Sequence, residues 1–463
     1  MTSQTDVVII GAGPAGMSAA SRLAEHNHSV VVLDEQPQAG GQIWRNILGT
    51  TTELAAILGP DYAAGAAVAS RFVSARINHI RGATVWNLTR DRQLQYLHEG
   101  KTHALSAKAV ILATGAMERP FPVPGWTLPG VMGAGAAQVL LKGSGTVPAN
   151  PVVVAGCGPL LYLICWQYLR ANVPIAAVLD TSSGRDIFQA APALLKGLAA
   201  FKDIRKGLSL ISAIKEKRIP FYRGVENIQI QGDNSVSAVQ FEHKGQTQSI
   251  ATTMVLLHQG VVPNTQFTWL LRAAHDWSGA QLCWVPRTDT WGRLADIDGI
   301  FLAGDGQGIA GAQSAVTRGE LAALAVHAHL DPTQASSLDN VSQPLISRLN
   351  KEMALRPFLD LAYQPKKENR IPQDDTIVCR CEEVTAGQIR DFVRQGCMGP
   401  NQAKSFSRCG MGPCQGRMCG LTVTEVIADE LKTTREEVGY YRIRAPLKPV
   451  TLAELATAVD TEI

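Results

Sequence analysis

Six of the nine cysteines, Cys379, Cys381, Cys397, Cys409, Cys414 and Cys419, fall within 41 residues, whereas the first 378 residues hold only three. Cys379-Arg380-Cys381 is followed, after 32 residues, by Cys414-Gln415-Gly416-Arg417-Met418-Cys419. Four soft thiolates in two close pairs suit a zinc ion or an iron-sulfur cluster, and C-x-C differs from the spacing of the usual zinc knuckle. Cys409 stands as far before Cys414 as Cys419 stands after it, so spacing alone leaves it in competition. An odd cysteine count, with a polar Met1 to Asp6 running directly into a strand, argues against a secreted disulfide scaffold. The expectation is a metal cluster in a reducing, cytoplasmic setting.

A second chemistry is written in glycine. Val7-Val8-Ile9-Ile10 reads as a buried strand, followed by Gly11-Ala12-Gly13-Pro14-Ala15-Gly16 and a helical segment, Met17 to Glu25. Gly11 permits the tight turn, Gly13 lets the backbone approach a pyrophosphate, and Gly16 allows close helix-to-strand packing. Unpaired N–H groups and the helix dipole favour negative charge at that point. The next strand, Ser29 to Leu33, ends in Asp34-Glu35. Alternation from Val31 and Leu33 puts Glu35, 24 residues past Gly11, on the face that can accept from a ribose hydroxyl.

The motif recurs as Val152 to Ala155, then Gly156-Cys157-Gly158-Pro159-Leu160-Leu161, with a second strand ending at Asp180. Leu161 stands where the third glycine belongs, which should disturb helix-to-strand packing and makes tight NAD(P) binding unexpected. No cysteine follows Gly40-Gly41-Gln42-Ile43-Trp44-Arg45, so a redox-active disulfide beside that loop is excluded. His258 and His275 read as surface or packing residues, and no Ser-His-Asp or paired-carboxylate arrangement suggests substrate chemistry.

These motifs need a scaffold, and 463 residues suffice for roughly three domains. At 46% hydrophobic and 18% charged the chain is neither disordered nor fibrous. A formal charge of +3, with no basic tail, is too even for a nucleic-acid binder. Pro151 to Leu179 carries a single charge, Arg170, yet it breaks at Gly156 to Pro159. It reads as strand, turn, helix and strand of a buried parallel sheet rather than as an integral membrane segment.

Ala113-Thr114-Gly115, closing the apolar run from Ala109, and Gly304-Asp305, closing Gly299 to Ala303, complete a pattern. It resembles the two-dinucleotide-binding-domain flavoproteins that include glutathione and thioredoxin reductases. The resemblance implies an α/β fold in which a split FAD-binding domain (1–125 and 285–335) carries an inserted NAD-type, Rossmann-like domain (126–284). Gly11, Gly13, Pro14, Ala15, Gly16, Glu35, Gly41, Gln42, Ala113, Thr114, Gly115 and Gly304 would line the FAD site, and Asp305 would hold the ribityl chain. Residues 336–375 are expected as linker, polar from Gln364 to Asp375.

Residues 376–440 resemble the bacterioferritin-associated-ferredoxin-like 2Fe-2S domain, departing from it by C-x4-C in the second pair, and 441–463 form a C-terminal tail. The run Gly410-Met411-Gly412-Pro413-Cys414-Gln415-Gly416-Arg417 resembles the larger subunit of opine, hydroxyproline and related amino-acid dehydrogenases and of hydrogen cyanide synthase. This resemblance implies Cys379, Cys381, Cys414 and Cys419 as cluster ligands; Cys397 and Cys409 read as structural thiols, since a buried free cysteine behaves as a small hydrophobe. Glu382 to Thr385 and the helix near Ala386 to Gln395 read as a capped helix close to the first pair. Lys404 and Arg408 are either solvated surface or charges balancing a cluster.

The family resemblance further implies electron transfer from a glycine-oxidase-like flavoprotein beta subunit, a small third subunit, FMN at a subunit interface, and contact with a membrane only through the electron acceptor. Two other readings stay open: a self-contained NAD(P)H-dependent flavin oxidoreductase, which needs the Leu161 site to work, and a zinc-stabilised assembly module with a vestigial nucleotide fold.

Overall fold

Strands that are apolar on both faces demand cover on both sides, and the computed structural model, which describes residues 3–195 and 201–458, supplies it for two parallel sheets. In the first sheet, Ser3–Ile10 lies between Val30–Asp34 and Lys101–Leu112, with Asn78–Arg81 outside Val30–Asp34. The register sets Val7 against Val30 and Ala109, and Ile9 against Val32 and Ile111. Ile300–Leu302 returns, far along the chain, to pair with the end of Lys101–Leu112. The start of that long strand belongs to an antiparallel meander with Gln93–His98 and Thr84–Leu88. Helices Pro14–Glu25 and Ala312–Leu330 pack against each other beside this sheet. A Cβ on Gly319 would meet the Ala15 carbonyl oxygen at 2.3 Å, so a glycine is what permits the approach.

The second sheet is also parallel, in the order Phe221–Arg223, Ile175–Asp180, Val152–Cys157, Val255–Gln259, Val131–Gly133. A separate antiparallel sheet, Glu226–Gln231, Ala238–His243 and Gln246–Ala251, flanks it. The chain enters and leaves this unit through Ala116–Glu118 and Val261–Pro263, which pair antiparallel as a two-stranded neck. The insertion is therefore bounded near 116 and 263, rather than at the expected 126 and 284. Pro151 to Leu179 forms strand Val152–Cys157, helix Pro159–Arg170 and strand Ile175–Asp180. Among the described residues no helix is long and apolar enough to cross a membrane.

Two segments carry more structure than their composition suggested. Residues 336–375, expected as linker, hold helices Leu338–Glu352 and Arg356–Ala362, with Ser342, Leu349 and Ala362 buried. Residues 441–458, expected as part of a tail, run back to the first sheet. Tyr441, Ile443 and Leu447 are buried, the Leu447 amide donates to the Trp86 carbonyl at 2.8 Å, and Thr102 bonds both Thr457 and Glu454.

Between these segments lies the cysteine-rich unit. Ile377–Cys379 pairs with Val384–Thr385, and helices Ala386–Arg394, Pro400–Ser407 and Gly420–Leu431 enclose the thiols. Thr385 caps the first of these helices in a capping box with Gln388. One hydrophobic cluster joins Val8, Ile10 and Leu33 of the first sheet to Cys379, Val423 and Tyr441, so the two units share a core.

Candidate functional site

The first fingerprint is a cradle with no room for side chains. Gly11 has φ +104°, and a Cβ there would lie 2.6 Å from the Ala113 carbonyl oxygen; on Gly16 it would lie 1.9 Å from the Gly11 oxygen. Gly41 approaches Gly13 so closely that a Cβ on it would meet the Gly13 Cα at 2.9 Å. The Gly40 amide donates to the Ala12 carbonyl, fixing the second loop against the first. Pro14 opens the helix and no side chain caps it, leaving first-turn amides free for an anion. Asp34 is buried and takes the Ala12 amide at 2.5 Å and the Gln36 amide at 2.7 Å; burial raises its pKa and these two donors oppose the rise. Glu35 stands exposed at the rim, 2.8 Å from Lys448.

Of the remaining residues expected around a flavin, Ala113 lies against Gly11 and Gly304 against Ala15. The Gly115 carbonyl accepts from the Asn264 amide and the Thr114 hydroxyl donates to the Asn264 carbonyl, tying the turn to the neck of the insertion. Gly304 presses on Ala15, where a Cβ would come within 2.9 Å of the Ala15 methyl. Asp305 accepts from the Ala310 and Gly311 amides at 2.9 and 3.1 Å, beside the uncapped start of helix Ala312–Leu330. Gln42 is exposed, and its carbonyl accepts from Lys142 at 3.3 Å.

Lys142 belongs to none of the motifs. It is buried on helix Ala134–Ser144, also donates to Gln138 at 2.8 Å, and its pKa is pulled down to about 7 by burial and by Arg45. The signal in the sequence is a lysine and, one turn before it, a glutamine on a face otherwise made of Ala134, Ala137 and Leu141.

The second fingerprint is filled from within. Leu161, expected to disturb the packing, is fully buried in the main core, so the helix accommodates it. Asp180 is fully buried and accepts from Tyr162, from the Ser182 amide and hydroxyl, and from Arg223. Cys157 donates to Gln259 and to the Tyr363 carbonyl, and burial pushes its pKa up to about 12. His258, buried, meets Glu118 through Nδ1 at 2.7 Å, and His275 stacks on Trp269 at 3.7 Å.

Five of the cysteines converge. The sulfurs of Cys379, Cys409 and Cys419 all lie within 4.8 Å of one another, and burial, with Cys414 and Cys379 nearby, raises the Cys381 thiol. Thiol hydrogen bonds from Cys409 and Cys419 hold Cys379 down at about 2, while donating to Cys379 pushes Cys409 up to about 12 and Cys419 upward as well. The Tyr441 hydroxyl donates to Cys409 at 3.4 Å and lies 3.8 Å from Cys419. Gly412 backs onto Cys381, where a Cβ would fall 2.3 Å from the cysteine's own. Lys404 lies over the Tyr441 ring at 4.8 Å and Arg408 pairs with Glu382. Cys397 is apart from the group and donates to the Gly399 carbonyl. Cys409, expected as a structural thiol, lies with Cys379 and Cys419, and its spacing from Cys414, equal to that of Cys419, is the signal for it in the sequence. An all-sulfur donor set of this kind fits an iron-sulfur cluster or zinc.

Comparison with known proteins bears on the whole chain. Residues 5–319 match the pyridine nucleotide-disulphide oxidoreductase family, and residues 373–458 match the sarcosine oxidase A3 domain. The A subunit of opine oxidase from Agrobacterium tumefaciens (strain Ach5) is 44% identical over 466 residues, covering 97% of this chain and 91% of that one. Hydrogen cyanide synthase subunit HcnB of Pseudomonas protegens is 30% identical over 463 residues, covering 96% of each. Among solved structures, L-proline dehydrogenase from P. horikoshii has a TM-score of 0.71 at 18% identity, covering 98% of this chain and 80% of that one, a likeness of fold alone.

Proposed function

From the premise that the chain belongs to the pyridine nucleotide-disulphide oxidoreductase family and is a homologue of the opine oxidase A subunit, we propose that it is the electron-transfer subunit of a multi-subunit amino-acid oxidoreductase. The substrate class is a secondary amine such as an opine or hydroxyproline, oxidised at its CH–NH bond in a glycine-oxidase-like flavoprotein partner. FMN at the subunit interface and a small third subunit belong to the same proposal.

One observation carries the reading: a single chain pairs an open dinucleotide cradle with a nest of convergent thiols and has no disulfide pair beside Gly40 to Gln42. FAD fits the cradle and a 2Fe-2S cluster fits the thiols; when bound, they supply two-electron and one-electron carriers respectively. The backbone of Gly11, Gly13 and Gly16 and the free helix end orient a pyrophosphate. Glu35 accepts from a ribose, Asp305 from the ribityl hydroxyls, and Gly41, Gln42 and Ala113 to Gly115 bound the ring. Cys379, Cys381, Cys414 and Cys419 hold the cluster. Because Asp180 has its acceptors committed and Leu161 fills the core, the second fingerprint offers NAD(P) no comparable cradle.

The test is purification of the chain alone and with its partner, followed by cofactor extraction and an opine-oxidation assay with an artificial acceptor. The single chain should carry FAD, iron and acid-labile sulfide yet oxidise no opine, and the partner should restore turnover. Full activity of the single chain, or rapid bleaching of its flavin by NADH or NADPH, would overturn the assignment.

A further inference from the structure

The cluster reading uses four thiols, and the structure brings five together; a role for the fifth rests on that reading. A 2Fe-2S cluster takes four thiolates, two for each iron. Cys381 lies against Gly412, in the loop that carries Cys414, while Cys379, Cys409 and Cys419 offer three sulfurs where two are needed. Two thiolates on one tetrahedral metal, with bonds of about 2.3 Å, lie roughly 3.8 Å apart, within the spread of this trio. Cys379 is tied to Cys381 by the single residue between them, so the surplus lies with Cys409 and Cys419.

These two arrive on different supports. Cys409 follows helix Pro400–Ser407 through Arg408, whose φ of 59° turns the chain sharply, and Cys419 caps helix Gly420–Leu431. Both are buried, and both lie near the one Tyr441 hydroxyl. A structural thiol behaves as a small hydrophobe. Cys409 instead presents its sulfur to two cysteines and a phenol.

We propose that Cys409 is a fifth cluster thiol, exchanging with Cys419 on the same iron while the Tyr441 hydroxyl hydrogen-bonds the sulfur left unbound. The exchange balances without a redox partner. Cys409 loses its thiol proton as its sulfur–iron bond forms, the Cys419–iron bond breaks, and the released thiolate takes up a proton. The iron keeps its oxidation state.

The full chain, purified anaerobically as wild type, Cys409→Ala, Cys419→Ala and the double variant, tests this through iron, sulfide and FAD content and the EPR spectrum after reduction. Each single variant should keep about two irons per chain with an EPR spectrum shifted from wild type. The double variant should lose iron by more than about tenfold while retaining FAD. Loss of iron in Cys419→Ala to the level of the double variant, with FAD retained, overturns the proposal. Should Cys419→Ala fail to fold, Cys409→Ala decides by itself: a spectrum identical to wild type overturns the exchange. Zinc in place of iron in the wild-type chain removes the cluster reading itself, an outcome distinct from failure of the exchange alone.

Discussion

The same strand, glycine turn and helix is built twice in this chain and treated in opposite ways. Both helices start uncapped on a proline, but at Gly11 to Gly16 a second glycine loop presses in at Gly41 and, next to the buried Asp34, an exposed acid, Glu35, stands at the rim. At Gly156 to Leu161 the acid of the following strand is fully buried and carries Tyr162, Ser182 and Arg223, while the third glycine's place is taken by a core leucine. Glycines and a free helix end permit close approach in both, but a nucleotide also needs an acid that the protein has not already used. The unspent polar groups, more than the motif, separate a site from a scaffold.

Exchanging the distinguishing residue is the severest way to break this contrast. In Gly16→Leu the new Cβ would fall 1.9 Å from the Gly11 carbonyl oxygen, which is backbone and has no flexible side chain to move aside. FAD per chain, read from absorbance after gel filtration, should fall by more than about tenfold. The reciprocal Leu161→Gly should cost roughly 3 to 5 kcal/mol through a core cavity and a helical glycine. It should gain no NAD(P) binding by calorimetry, because Asp180 stays committed. Nucleotide binding restored by that single change would show that Leu161 alone closes the second site.

Much of this organisation was legible because it is local. Val7 to Gly16 and Val152 to Leu161 declare strand, turn and helix within a few residues, and Thr385 with Gln388 declares a helix start. Convergence was not legible. The place of Cys409 depends on the helix Pro400–Ser407 delivering it to Cys379, and that of Tyr441 on a return chain anchored at Trp86. Helix Leu338–Glu352 hid behind Pro344 and a polar exterior, although it buries Leu338, Ser342 and Leu349. Lys142 was invisible because, although Gln138 lies one turn back on its own helix, its other partner, the Gln42 carbonyl, belongs to a loop far away in the sequence.

That lysine also joins the two regions, since it reaches from the inserted domain to the loop beside the first fingerprint. Its pKa in the fold, about 7, lies below the ordinary 10.5, so between those values the unfolded chain binds a proton that the folded chain does not. Stability from this group therefore rises with pH across that window, and the cost of burying the charge is complete below pH 7. Lys142→Met should be the more stable protein at pH 6, by on the order of a few kcal/mol. By pH 10 it should be slightly less stable, by about 1 kcal/mol, because Gln138 loses its donor. Thermal melts at the two pH values check the reversal, and parallel curves for the two proteins would place the lysine in a wetter setting.

The smallest expected effect is the sharpest probe of the rim. Glu35 pairs with Lys448 at 2.8 Å, but its side chain is 47% exposed, and an ion pair in that position is worth at most about 1 kcal/mol. Glu35→Gln should therefore leave the melting temperature of the cofactor-free chain nearly unchanged. If the carboxylate accepts from a ribose, losing its charge weakens that bond, and FAD should bind roughly 5- to 10-fold less tightly in a fluorescence titration. Lys448→Met removes the same ion pair and keeps the carboxylate, so it should leave FAD affinity intact or slightly improved. Equal weakening in both variants would make the pair a structural clasp between the C-terminal segment and the first sheet. Unchanged affinity in both would return the ribose to Asp34, whose two oxygens already hold the Ala12 and Gln36 amides, and the two fingerprints would then differ only in how deeply the acid is buried.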